Sequence, residues 1–203
     1  MSEDGKQPAV EQHNEPAWIK AFLNGDRSAF DRLVLRHQNR VFSLCYRMLG
    51  DYEDADDCAQ ETFVKVYRSL KAFRFDSSFS TWLYMIAVNT CKNKLKSAEY
   101  RRRQKMVPID DPPEESGGRK PVRELEDPGP TALTRLADKE REQLVQAAIN
   151  SLTEDARTVV VLRDVQGLSY EEVIRVTGYN MGTLKSKLAR ARMQLRQKLK
   201  GVV

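Results

Sequence analysis

The chain has 203 residues, 40% of them hydrophobic and 31% charged, with a formal net charge of +5, which suffices for one or two small cores. No apolar run approaches the roughly 20 residues that span a bilayer, and the polar start over residues 1–15 has no signal-peptide core. A soluble, cytoplasmic protein without membrane insertion is therefore expected.

Residues 1–15 read as a disordered tail ahead of a first helical domain over 16–105. Within that domain the spacing predicts a helix at 16–23 and a longer one at 28–49 with Gly50 at its end. A third follows at 52–70 with Asp51 as cap. Asp76-Ser77-Ser78 breaks the pattern. A fourth helix then starts with Ser80 as its cap and runs from Thr81 to about residue 103, turning basic through Lys92, Lys94 and Lys96. Phe73, Phe75, Phe79, Trp82 and Tyr84 sit just ahead of these cations. Such rings form a helix-packing core or a platform on which single-stranded bases stack, at about 1 to 3 kcal/mol each, and spacing alone fits both. Residues 106–131 are dense in Pro, Gly, Asp and Glu, including Pro112-Pro113 and Asp127-Pro128-Gly129-Pro130, so they read as a flexible acidic linker. A second domain is expected over 132–203. The fold class is all-α, two small helical domains joined by that linker.

The second domain carries the strongest local signal. Ser169-Tyr170-Glu171-Glu172 has capping-box spacing, Gly178 can end the helix so begun in the left-handed conformation, and Asn180 can cap the next. That is a helix-turn-helix. On its second helix Leu184, Leu188, Ala191, Leu195 and Leu199 form one apolar stripe. The opposite face places Gly182, Ser186 and Ala189 at its centre, flanked by Thr183, Lys185, Lys187 and Arg190. No acid follows Glu172, whereas a merely solvated face mixes signs, so this face is read as one that meets phosphates and bases. The motif alone does not choose among repressors, activators and initiation factors.

Cys45, Cys58 and Cys91 lack any CxxC pairing and only His13 and His37 accompany them, which argues against a disulfide scaffold and a metal centre. The thiols are expected as small apolar fillers in a reducing compartment. No Gly-rich phosphate loop of the P-loop kind, nucleophile elbow, paired-carboxylate or HExxH pattern occurs, so neither a cofactor nor an enzyme is expected.

Three motifs in order, residues 54–63 (DADDCAQETF), residues 79–89 (FSTWL with IAVN) and residues 182–192 (GTLKS with RAR), resemble those of bacterial sigma-70-type factors. The chain is similar to the extracytoplasmic-function class, which keeps only regions 2 and 4. The resemblance implies a factor that binds core RNA polymerase and directs promoter recognition, DNA melting and initiation. It assigns Asp57, Gln60, Glu61 and Phe63 to the clamp helices of the polymerase. It assigns Phe75, Ser78, Phe79, Ser80, Thr81, Trp82, Asn89, Lys92 and Lys96 to the minus-10 element, with one base flipped from its stack at a cost of a few kcal/mol. Gly182, Thr183, Lys185, Ser186, Lys187 and Arg190 fall to the minus-35 element, the other surface of that domain to the polymerase flap, and an anti-sigma factor becomes an expected partner. The chain departs from the family pattern at Ile174 for a common Ala, Asn93 for Asp, Asn180 for Pro and Lys187 for Arg, the last removing the rigid fork that reads guanine. A stand-alone regulator would leave the motifs at 54–82 unexplained, and an RNA-binding protein would account only for the aromatic and basic mixture around 82–103.

Overall fold

The computed structural model describes residues 14–97, residue 100 and residues 132–201, and among them every regular element is helical. Helix α1 spans Glu15–Leu23, α2 Ser28–Leu49 and α3 Tyr52–Ser69, the last followed by a 3-10 turn at Leu70–Ala72. Helix α2 ends where Gly50 takes φ 79° and its N–H returns to the Tyr46 carbonyl at 2.8 Å. Asp51 then caps α3, its carboxylate accepting from the Asp54 N–H at 2.8 Å.

Helix α4 spans Phe79–Lys96, and it corrects the expected fourth helix at both ends. Its cap is Ser78, whose hydroxyl accepts from the Thr81 N–H, so the helix starts two residues earlier than Ser80 would have it. It also stops at Lys96 instead of running to residue 103. Ser97 adopts an extended conformation and its hydroxyl accepts from the Tyr100 N–H, the local side-chain bond by which Ser competes with helix continuation. Tyr100 is buried and donates its hydroxyl to the Leu49 carbonyl at 2.8 Å.

Helices α2, α3 and α4 close around Leu33, Val41, Leu44, Met48, Val66, Leu83 and Val88. The three thiols are buried, one on each helix, and hydrogen bonding with Cys45 and Cys58, together with burial, pushes the Cys91 thiol well above its ordinary pKa. They act as apolar filling.

The second half opens with α5, Ala132–Asn150, a helix not called from the sequence, although Val145, Ala148, Ile149 and Leu152 carry the helical spacing that marks its inner face. Helix α6, Glu154–Val160, starts from the Thr153 cap and runs into a π-helical turn at Val161–Val165. Helices α7, Tyr170–Thr177, and α8, Met181–Lys198, complete the chain. The capping box, the left-handed Gly178 at φ 73° and the Asn180 cap all stand where spacing placed them.

One apolar core runs through both halves, with α4 packed on α7 and α2 on α5 and the π turn. The seam is polar at the C-terminal end of α2, where orphan carbonyls need partners. Arg157 donates to the Met48 carbonyl at 2.6 Å, and the Gln146 amide approaches the Tyr46 and Arg47 carbonyls at 3.4 and 3.5 Å. Arg47 in turn reaches back to Gln146 and Glu142. The linker expected at 106–131 lies outside the described residues, as do residues 1–13 of the tail expected at 1–15; the end of that tail is ordered instead, because Glu15 opens α1 and its carboxylate accepts from Arg36 and meets His37.

Candidate nucleic-acid and partner interfaces

The first surface is a groove of about 400 Å³ between α2 and α3, floored by Val34, Phe42, Ala59 and Phe63 and edged by Gln38, Asn39, Asp56 and Gln60. Gln60 donates to Asp56 at 2.9 Å and Glu61 pairs with Lys65 at 2.8 Å one turn on. Asp57 is exposed on the same helix, with Lys94 3.8 Å away. Lys94 belongs mainly to the buried Asp54 at 2.9 Å, a contact that raises its pKa. Of the four residues assigned to the polymerase, Gln60 and Phe63 line the groove, while Asp57 and Glu61 stand on the exposed side of α3. An apolar floor under an amide and carboxylate rim fits an amphipathic helix.

The second surface is the loop between the 3-10 turn and α4. Phe75 takes φ 59°, the one positive value at a non-glycine among the described residues, and the residue stays 46% exposed while its ring lies tilted against Phe73 at 4.8 Å. Such a conformation costs about 1 to 2 kcal/mol and holds only where the surroundings over-determine it. Beside it Ala72, Phe73, Arg74, Asp76, Ser77 and Trp82 line a cavity of about 170 Å³, with Phe73 and Trp82 rings 5.1 Å apart. Phe73, Phe79 and Tyr84 are core residues, which settles for them the choice that spacing left open; Phe75 and half-buried Trp82 keep open surface.

The remaining residues of this set divide. Ser80 bonds the cap Ser78 at 3.0 Å, and Asn89 and Lys96 are exposed. Phe79 packs on the buried His37, whose ring nitrogen meets Glu15 at 3.0 Å; that hydrogen bond keeps the Glu15 carboxyl below its ordinary range. Thr81 is buried, and its hydroxyl donates to Glu172 of the capping box at 3.0 Å. Lys92 is half-buried, 3.6 Å from both Glu154 and Asp155.

The third surface is α8. Leu184, Leu188 and Ala191 are buried, so the helix docks by the stripe that spacing predicts. Gly182, Lys185, Ser186, Ala189 and Arg190 face solvent. Thr183 is half-buried, and its N–H donates to the Asn180 cap at 2.8 Å. Lys187 is turned aside, bonded to Asp155 at 2.8 Å and lying over the Tyr179 ring at 5.1 Å. The Lys187 and Tyr179 contacts hold the Asp155 carboxyl down at about 2, and burial with the same contact raises the Tyr179 phenol. Arg192 is held by Asp164. Sequence reasoning missed Glu154, Asp155 and Arg157; acids in a first helical turn read as complements of the helix dipole, and nothing in a lone Arg marks it as buried.

The family profile described as Sigma-70 region 2 matches residues 33–103, and that described as Sigma-70, region 4 matches residues 132–195. The chain belongs to the sigma-70 family of RNA polymerase sigma factors. The RNA polymerase sigma-H factor of Pseudomonas aeruginosa is 39% identical over 181 residues, covering 89% of this chain and 91% of the relative. The ECF RNA polymerase sigma-E factor of Haemophilus influenzae is 36% identical over 190 residues, covering 94% and 97%. These place the chain in the extracytoplasmic-function class, as an alternative sigma factor of transcription initiation. The match over both halves leaves no support for a stand-alone regulator. The structure of the sigma factor RpoE in complex with the anti-sigma factor NepR from Bartonella quintana shares the fold at TM-score 0.62 and 24% identity. It covers 84% of this chain and 96% of that one. No described helix is long and apolar enough to cross a membrane.

Proposed function

We propose that this sigma factor docks core RNA polymerase through the α2–α3 groove, with Gln60 and Phe63 at the contact and Asp57 and Glu61 beside it. The cavity between Phe73 and Trp82 takes an unstacked base of the minus-10 element, and Asn89, Lys92 and Lys96 follow the adjoining strand. Helix α8 enters the major groove of the minus-35 element with Gly182 and Ser186 at its centre and Lys185 and Arg190 on its flanks. The observation that carries this reading is one chain holding both an aromatic-lined cavity at the head of a basic helix and a helix-turn-helix with an acid-free exposed face. Region 2 spans 16–105, the linker 106–131 and region 4 132–203, with the flap on the far side of region 4. The chain works in the cytoplasm without a cofactor or metal, leaves catalysis to the polymerase, and is held in reserve by an anti-sigma factor, as the sigma factor of the Bartonella complex is bound by one.

The test is in vitro transcription from a pool of promoter fragments with core polymerase, with and without the chain, followed by sequencing of transcript starts. New starts sharing two upstream elements are expected; none, with duplex binding retained, would overturn the reading.

A further inference from the structure

We propose that Lys187 reads neither base nor phosphate and is instead a positioning residue: its ammonium, tied to Asp155, fixes α8 on α6 and so aims Lys185, Ser186 and Arg190 at the base pairs. This deepens the functional reading and rests on its placement of α8 in the minus-35 element.

Successive residues of a helix stand about 100° apart, so Thr183, Lys187 and Ala191 form one row along α8. In that row Thr183 and Lys187 are half-buried and Ala191 is buried, whereas the row of Gly182, Ser186 and Arg190 and the row of Lys185 and Ala189 are exposed. Lys187 therefore borders α6 rather than the open face. Its Nζ lies 2.8 Å from Asp155 Oδ2 and 5.1 Å from the centre of the Tyr179 ring. Tyr179 stands in the turn between α7 and α8, and its phenol donates to the same carboxylate. One side chain thus joins the head of α6, the turn and the second turn of α8. Asp155 is a firm anchor for them. It sits in the first turn of α6 behind the Thr153 cap, where the helix dipole favours an anion, and its contacts hold its pKa at about 2. A phosphate brought to Lys187 would meet that carboxylate, and an ammonium already paired has no counterion to release on binding DNA. Lys92 also approaches Asp155, at 3.6 Å, so variants at Lys187 and Tyr179 isolate the strut where a change at Asp155 would not.

The experiment uses the full chain with core polymerase and a promoter that the pair opens. Equilibrium binding is measured over a salt series, on that promoter and on versions with each minus-35 base pair replaced in turn. Lys187→Met keeps the apolar stem and should bind the intact promoter about two- to fivefold more weakly, the weight of a half-exposed ion pair, with the slope of log affinity against log salt unchanged. A replaced base pair costs the unaltered chain roughly 5- to 150-fold, and these penalties should shrink in Lys187→Met because misaimed side chains discriminate less. Lys187→Arg, which can still reach Asp155, should restore them in the same pattern. Tyr179→Phe, with every cation in place, should shrink them as Lys187→Met does. Lys185→Met is the contrast, with a slope lower by ~0.9 for a lost phosphate contact. That same fall of slope in Lys187→Met, undiminished penalties in it, or a new preference for guanine in Lys187→Arg would overturn the positioning role. If the unaltered chain forms no promoter complex with core polymerase, or Lys185→Met leaves the slope as it was, the underlying reading falls instead.

Discussion

Arg157 carries a guanidinium into the seam between the halves, where its two terminal nitrogens serve the carbonyls of Met48, Asn150 and Leu152. Burial lowers its pKa, and its Nε has no hydrogen-bond partner among the described residues, so the fork is held chiefly by carbonyl dipoles. Arg157→Met should cost about 3 kcal/mol in urea unfolding, because three acceptors lose a charged donor while the apolar stem is kept. Arg157→Lys should recover little of that, since one ammonium cannot span the three carbonyls. Gly50→Ala should cost about 1 to 2 kcal/mol by the same assay, for it puts a side chain at φ 79° and presses a methyl group against the Asn150 side chain. Neither role is readable from sequence. Gly50 announces a helix end, but not the residue that comes within contact of it 100 positions later.

Helices α7 and α8 were the most legible elements, because every signal in them is local: a capping box, a left-handed glycine, an Asx cap and a regular leucine spacing agree on the same boundaries. Ser169→Ala should therefore destabilise region 4 by about 1 kcal/mol, read as a lower melting temperature. Leu188→Asp should unfold it, with loss of helical ellipticity, by placing an unpaired carboxylate where 2% of the side-chain-bearing residue is exposed. On α3, Gln60→Ala with Glu61→Ala should weaken binding to core polymerase while leaving the melting curve almost unchanged, since both residues are exposed and their bonds lie within one helix. The misread element was α4. Absence of Pro and Gly suggested that it runs to residue 103, but helix termination needs neither when a Ser hydroxyl takes the amide of a Tyr three residues on and that Tyr is drawn into the core.

At the scale of the whole molecule the sequence reading stops at two helical domains and a tether, because amphipathic spacing marks an inner face without naming what covers it. The seam joins residues about 80 to 110 positions apart through Thr81, Tyr84, Arg47 and Arg157. Acid should loosen the fold, at the seam through Asp155 and Glu172 and within the first half through Glu15. All three carboxyls lie below their ordinary range, so their contribution is complete at pH values above the unfolded carboxylate range and is lost as pH falls through the depressed values. Urea midpoints should stay level from pH 7 to about 5 and fall steadily from there toward pH 2. The capped end of α2 has a further consequence for biosynthesis. Met48 leaves the ribosome 109 residues before Arg157, an interval of about 5 to 20 s at 5 to 20 residues per second. Through that interval the nascent first half carries a helix whose Met48 carbonyl is left to water, and the loop ahead of α4 lacks the contact that Arg175 makes with the Asp76 carbonyl. The newborn first half thus exposes that loop before the chain has the means to cover it.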